Sequence, residues 1–269
     1  MSSSGLVAQS PTTAEHPERT RRSLAPRGWA HFALQVVLLG SFTFIYALTG
    51  LYGRSEAGKA IGNARDILQL EGTLGIDWEQ GVQDSVLRGP HFLLDVANYT
   101  YFNCQFSLSI LFLIWVYFRR NDRFARVRDA LLAANYVSLV VMFVYPLAPP
   151  RMLGSFVDTL DENSLNLHSS FINTLNNPYS AMPSLHASYA IVLSVAGVTL
   201  SRRWWAKLIW LFYPFLVTYS IVATGNHFVL DVVAGAVVLL ATPVVSWASS
   251  RLALLWGNRA HLAGARADG

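Results

Sequence analysis

An all-α bundle of six transmembrane helices, with short amphipathic helices on its outer face and both termini cytoplasmic, is the fold this sequence predicts. Three observations predict it. The 269 residues are 53% hydrophobic and 13% charged, with a mean hydropathy of +0.36, where a soluble domain carries about 25% charged residues. Six apolar runs approach or exceed the ~17 residues a helix needs to cross the hydrocarbon layer. The basic residues crowd onto alternate connections between those runs, as the positive-inside rule requires.

The elements follow in chain order. Residues 1–27, rich in Ser, Thr, Pro and Arg without apolar periodicity, read as a disordered cytoplasmic tail. The run from Ala30 to Leu51 exceeds the ~7–15 residues of a signal-peptide core and lacks a cleavage site, so it is taken as the first span. Further runs lie at 92–118, 129–148, 184–200, 206–224 and 228–248, which makes 28–250 one membrane domain and 251–269 a second cytoplasmic tail. The run at 92–118 is the longest and is expected to tilt or protrude.

Fifteen of the twenty basic residues sit on one side: the N-terminal tail, the Arg119–Arg128 connection, the Arg202–Lys207 connection and the C-terminal segment. Arg54, Lys59, Arg65, Arg88 and Arg151 fall on the other. That asymmetry places the fifteen in the cytoplasm, with Trp204 and Trp205 at the interface. It also accounts for the net charge of +4 without a nucleic-acid partner. The single cysteine, Cys104, lies in an apolar run and reads as a small buried hydrophobe, so no disulfide framework or thiolate metal site is available.

Two outer connections are long. Residues 53–90 mix Glu56, Asp66, Glu71, Asp77, Glu79 and Asp84 with helix-spaced apolar residues, a pattern for amphipathic helices or a structured loop at the outer surface. Residues 149–183 carry paired prolines, asparagines and serines and read as a loop of the length that tends to be functional.

Ionisable groups inside a span are expensive, at ~2.5–3.5 kcal/mol for Asp at a helix centre on insertion scales. Asp231 lies four residues after His227 at the outer edge of the last run, a spacing that lets the carboxylate accept a hydrogen bond from one imidazole nitrogen. The other nitrogen is then free for nucleophilic or general-base work. His186 opens the fourth span after Pro183-Ser184, with Pro183 suited to a helix's first turn. Both helices would present N-termini outward, where backbone N–H groups and the helix dipole favour phosphate. Ser184 and Asn226 add neutral donors, and Arg151 after Pro149-Pro150 is the cation placed to meet an anion. These cues converge on a phosphoryl group.

A lone membrane-edge histidine is more often an interfacial residue than a catalyst. Two of them with an i+4 aspartate weigh against that reading, whereas His31, His91, His168 and His261 lack such a partner and receive no chemistry. Asn98, Tyr101 and Gln105 form a polar stripe assigned to helix–helix hydrogen bonding. Two other functions use the same polar residues. His186, His227 and Asp231 could form a two-histidine, one-carboxylate metal site. A transporter could line its pathway with them, although no inverted repeat is visible.

The stretches Ala148-Pro149-Pro150-Arg151, Pro183-Ser184-Leu185-His186 and Gly225-Asn226-His227 through Asp231 resemble the three ordered motifs of the type 2 phosphatidic acid phosphatase superfamily. The Pro-Ser-Leu-His form is similar to the branch of inositolphosphorylceramide and sphingomyelin synthases. The resemblance implies a lipid phosphatase or phosphotransferase working without a metal or other cofactor. His227 would form a phosphohistidine, Asp231 would orient it, His186 would protonate the leaving group, and Arg151 would bind phosphate, beside the Ser184 and Asn226 donors read above. Its partners would be the bilayer, a lipid phosphate and an alcohol such as inositol, with the active site on the extracytoplasmic face. The sequence departs from the phosphatase pattern at Val144 and Ile221, which stand where that pattern has a lysine and an arginine. The loss of two cations favours a monoanionic diester over a dianionic monoester.

Overall fold

The structure, a computed structural model, describes residues 26–159 and 177–251. Nearly all of the two expected tails and residues 160–176 of the long 149–183 loop therefore lie outside the described residues, as do His168 and His261. Among the described residues the protein is all-helical, with a single isolated parallel bridge between Leu147 and Ser180.

The chain enters through α1 (Trp29–Ser55) and lays down α2 (Ala57–Leu74) and α3 (Glu79–Leu87), so the 53–90 segment is helical where the sequence leaves helices and a structured loop both open. Gly75, at φ 69°, closes α2 in the left-handed conformation that glycine adopts without steric cost. The long run at 92–118 is two helices, α4 (His91–Gln105) and α5 (Ser107–Arg119), which meet at a 42° bend. At that break the Cys104 carbonyl accepts from the hydroxyls of Ser109 at 3.2 Å and Tyr213 at 3.1 Å. A polar group freed in an apolar surround is thus satisfied. There follow α6 (Asn121–Val144), a 3₁₀ turn at Pro150–Met152, α7 (Leu185–Leu200), α8 (Trp204–Ala223) and α9 (Val229–Val237), the last continuing as one apolar segment to Arg251.

Four of these segments are long and apolar enough to cross a membrane, or five when the bent α4–α5 pair counts as one span. The sixth candidate, α7, has 16 residues, about 24 Å at the ~1.5 Å rise of a helix. Large apolar side chains face outward along the long helices, including Phe212 and Phe215 of α8 and Leu240 and Val244 of the last segment. Inside, small residues bring helices close: Gly197 of α7 packs so tightly on Trp210 of α8 that a Cβ would collide with the indole. An apolar exterior around a small-residue interior is the pattern of a bundle whose solvent is lipid.

The two ends of the bundle differ in chemistry. At one end, Val116, Tyr117, Phe124 and Leu200 share a core cluster that brings the α5–α6 junction to the α7 terminus. His31 Nδ1 lies 3.0 Å from the Tyr117 hydroxyl, Arg128 donates to Gln35 at 3.0 Å, and Ser249 donates to Asp129 at 2.9 Å. These contacts tie the start of α1 and the end of the last segment to the same end. The described members of the arginine-rich connections gather there. The opposite end carries α2, α3 and the three motifs around Arg151, His186 and His227.

Candidate active site

Backbone hydrogen bonds stitch the three motifs together before any side chain acts. The Leu147 N–H donates to the Tyr179 carbonyl at 2.9 Å and the Ala181 N–H returns to the Leu147 carbonyl at 3.1 Å, joining the first motif to the second. The Arg151 N–H donates to the Gly225 carbonyl at 2.9 Å, joining the first to the third. The Ser184 N–H donates to the Asp231 carbonyl at 3.0 Å, joining the second to the third. Gly225 has φ 67°, and a Cβ there would stand 2.9 Å from Gln83 Nε2 and 3.3 Å from Arg151 Cβ, so both the turn and the crowding require glycine. Gly235 lets α9 lie directly on α7: a Cβ would strike the Ser184 carbonyl, and the Ser188 hydroxyl donates to the Gly235 carbonyl at 2.7 Å.

This framework brings His186, His227 and Asp231 into one cluster. His227 is buried, with Nδ1 3.3 Å from Asp231 Oδ2 and Nε2 3.4 Å from His186 Nδ1. The second nitrogen, expected to be bare, therefore faces the other histidine across the mouth of a cleft. The ring of Tyr101 stacks on His186 at 4.6 Å between centroids and 22° between planes. Arg151 donates through Nη1 to Asn226 Oδ1 and pairs through Nε with Asp158 at 3.0 Å. Asn226 is itself held by its amide donating to Thr224 Oγ1 at 2.8 Å. Arg151, His186, Asn226 and His227 line one narrow cleft with Tyr46, Tyr101, Gln105 and Ser180. Its free volume of about 70 Å³ is far below the ~300–1,000 Å³ of pockets that enclose a whole drug-sized ligand. A cleft of this volume has room for a small polar group and none for a lipid tail.

Several sequence expectations change here. His227 precedes the helix: α9 begins at Val229, Phe228 is the N-cap and Asp231 is the third helical residue. Asp231 still reaches His227, and the same oxygen accepts the Phe228 N–H at 2.9 Å. Pro183 stands before the N-cap rather than in the first turn, because Ser184 caps α7 and its hydroxyl accepts the Ala187 N–H at 3.3 Å. Ser184 is fully buried and does not line the cleft, so its oxygen holds the helix and is not directed at an anion. The polar stripe on α4 reaches the site as well as its neighbouring elements. Asn98 pairs with Thr159, Tyr101 stacks on His186, and Gln105 lines the cleft.

The larger surprise is at the N-terminus of α9, expected to offer free N–H groups to phosphate. Carboxylates already occupy them. Glu79 Oε1 accepts the Val229 N–H at 2.7 Å and Glu71 Oε1 accepts the Leu230 N–H at 2.6 Å. Both glutamates are fully buried. The signal was present in the sequence: Ala60, Ala64, Ile67 and Glu71 are the buried face of α2, spaced as one helix stripe. Glu79, Gln83 and Val86 form the same kind of face on α3. Gln83 binds the loop beside Arg151, donating to the Val157 carbonyl at 3.0 Å and accepting the Val157 N–H at 2.9 Å.

The cluster is linear and not convergent. Asp231 and His186 approach His227 from opposite ring nitrogens, so the three cannot direct their donor atoms at one ion. Among the described residues no three His, Cys, Asp or Glu side chains are arranged to hold a metal.

Comparison with known proteins agrees with the motif geometry. A curated relative, a phosphoinositol dihydroceramide synthase of Bacteroides thetaiotaomicron, is 22% identical over 160 residues, covering 52% of this chain and 52% of the relative. The chain thus spans about half the length of the curated relative it matches. No solved structure matches it. The family model described as the PAP2 superfamily matches residues 65–245, more than half of the chain and all three motifs. With that match and the clustering of the motif residues at one cleft, the chain belongs to the PAP2 superfamily.

Proposed function

We propose that the protein is an integral membrane lipid phosphotransferase or phosphatase that acts through a phosphohistidine at His227. The observation that carries this reading is the His227 ring. One nitrogen is held by Asp231 and the other is turned to His186 in a cleft that also holds Arg151. A carboxylate on Nδ1–H fixes the tautomer that leaves the lone pair on Nε2. Nε2 attacks phosphorus, the N–P bond forms as the P–O bond to the leaving group breaks, and His186 gives that oxygen its proton. In the second half, His186 takes a proton from an alcohol or water, whose oxygen attacks phosphorus and releases His227. Arg151 stabilises the charge on the phosphoryl oxygens throughout.

The donor is a phospholipid or polyprenyl phosphate whose tail lies between helices. With Val144 and Ile221 in place of cations, and Arg151 sharing its charge with Asp158, the cleft suits a monoanionic diester. That favours head-group transfer over monoester hydrolysis. The relative's name supports phosphoinositol as the group transferred. Counting α1, the α4–α5 pair, α6, α7, α8 and the Val229–Arg251 segment gives six spans. Both termini then lie in the cytoplasm and the cleft on the extracytoplasmic side.

The test uses the purified full chain in detergent, wild type beside His227→Ala. Labelled phosphatidylinositol and polyprenyl phosphates are supplied with chelator, with and without ceramide or inositol, and products are read by mass spectrometry. Turnover that disappears in His227→Ala is expected, and the product separates transfer from hydrolysis. Equal turnover by the variant, or turnover abolished by chelator in the wild type, would overturn the mechanism.

A further inference from the structure

The buried acidic pair under α9 takes no part in the chemistry above, yet it touches the element that carries it. Phe228, Val229 and Leu230 present three successive N–H groups at the start of α9, and they are accepted in turn by Asp231, Glu79 and Glu71. Because Val229 and Leu230 are adjacent, the two glutamate carboxyls that bind them are held side by side. Each has a second oxygen, Glu71 Oε2 and Glu79 Oε2, that is buried and without a hydrogen-bond partner among the described residues. Among the described residues no cation figures among the charges acting on Glu71, and the cations of α2, Lys59 and Arg65, lie on its exposed side. The groups facing Glu71 from neighbouring elements are Glu79 on α3 and Asp231 on α9, and Tyr145 packs in the cluster that holds Ala60, Ala64 and Ile67 of the same helix. Two buried like charges opposed only by backbone N–H groups are costly, and one proton between them removes both the repulsion and the orphaned oxygens.

We propose that Glu71 and Glu79 are positioning residues for His227: a carboxyl–carboxylate pair sharing one proton that clamps the first backbone N–H groups of α9. Resting on the phosphohistidine reading, this assigns the outer helices a role in the reaction. By fixing Val229 and Leu230, the clamp sets the height of Asp231 and of the imidazole that Asp231 holds, one residue before the helix cap. Loss of the shared proton forces one carboxylate away, releases an N–H and lets the His227–Asp231 contact slip. A misplacement of ~1 Å at a reacting group costs as much as ~100-fold in rate.

Burial in the apolar surround, with Glu79 and Asp231 nearby, pushes the Glu71 carboxyl up to about 8 from an ordinary 4.5. The folded state therefore binds a proton that the unfolded state releases. The stability from this group is fully present below 4.5 and is lost as pH rises through about 8.

The experiment reads the full chain in detergent in two ways. Infrared spectra recorded against pH follow the carbonyl stretch of protonated carboxylic acids, with Asp231→Asn as the control that removes the aspartate's own contribution. A protonated-carboxyl band at neutral pH that disappears above pH about 8, and is absent from Glu71→Gln, is expected. Thermal melting should fall as pH rises from 4.5 to about 8 in the wild type and fall less in Glu71→Gln. The second readout is turnover of fluorescent phosphatidylinositol. Glu71→Ala should lower kcat by about tenfold to a hundredfold with KM nearly unchanged. Glu71→Gln, which can accept from Leu230 and donate to Glu79, should restore most of kcat near neutral pH and remove the alkaline fall. A band unaffected by both Glu71→Gln and Glu79→Gln, or an alkaline limb that survives in Glu71→Gln, overturns the clamp. If the wild type turns over no substrate, the function reading fails and the infrared and melting data still decide whether the proton is shared.

Discussion

His227 makes two contacts that ask for different chemistry from its two nitrogens, and single substitutions separate them. Asp231→Asn keeps the size of the side chain but can present an N–H to the imidazole, inverting the tautomer and placing the proton on Nε2. Turnover is expected to fall by about 10²–10⁴-fold, with substrate binding retained, as measured by kcat and KM on the labelled phosphatidylinositol. A loss confined to KM would show that Asp231 serves binding instead. Arg151 is held by Asn226 and Asp158 at two edges of its guanidinium. Arg151→Lys keeps the charge but cannot reproduce that fork, so a fall of about tenfold or more in kcat/KM is expected on the same substrates. His186, His227 and Asp231 were legible in the sequence because ionisable residues at a membrane edge stand out against apolar neighbours, and the i, i+4 spacing announced a partner. Asp158 was not legible: its pairing with Arg151 depends on the fold of a loop that has no periodicity to read. Ser184 was ambiguous in the sequence because a serine before a helix can cap the helix or bind a ligand, and its hydroxyl here accepts the Ala187 N–H.

Between elements, the site depends on how closely α7 and α9 cross. Gly235 sits where the Ser184 carbonyl passes, and the Ser188 hydroxyl is bonded to the Gly235 carbonyl. A large side chain at this point must push the two helix starts apart, and with them His186 and His227. Gly235→Leu should therefore abolish turnover while circular dichroism still reports a helical, detergent-stable protein. Overpacking of this kind typically costs about 1–3 kcal/mol, so a lowered melting temperature should accompany the loss. Retained turnover would mean the histidines need not approach as closely as 3.4 Å. The long helices were legible from their apolar runs, and the bend at Phe106 was foreshadowed only by the excessive length of the second run. The role of α2 and α3 was not, because acidic residues in an amphipathic segment ordinarily face water. The apolar stripe at Ala60, Ala64 and Ile67 continues into Glu71, however, and a carboxylate on the buried face of a helix requires a buried donor. Here the donor is another helix's N-terminus, which single-segment periodicity cannot reveal.

For the whole molecule, the arrangement of charge and the placement of the cleft make one connected claim about sidedness. Arginines of the α5–α6 and α7–α8 connections lie at the end of the bundle that also holds the start of α1. The cleft and the Glu71–Glu79 clamp lie at the other. On the six-span reading proposed above, both chain termini would share one side, and the basic excess would assign that side to the cytoplasm. The argument is testable with single cysteines in a Cys104→Ser background, Cys104 being buried. Arg88 follows α3 at the cleft end, and Arg203 caps α8 at the opposite end. In intact cells a membrane-impermeant maleimide should label Arg88→Cys, whereas Arg203→Cys should react only after permeabilisation. The reverse pattern would place the cleft in the cytoplasm, and labelling of both in intact cells would break the six-span count. The expected result fixes more than orientation. A cleft on the extracytoplasmic face must draw its lipid from the outer side of the membrane and its alcohol or water from outside the cell. The supply of both substrates then depends on how they reach that face, however competent the histidines are.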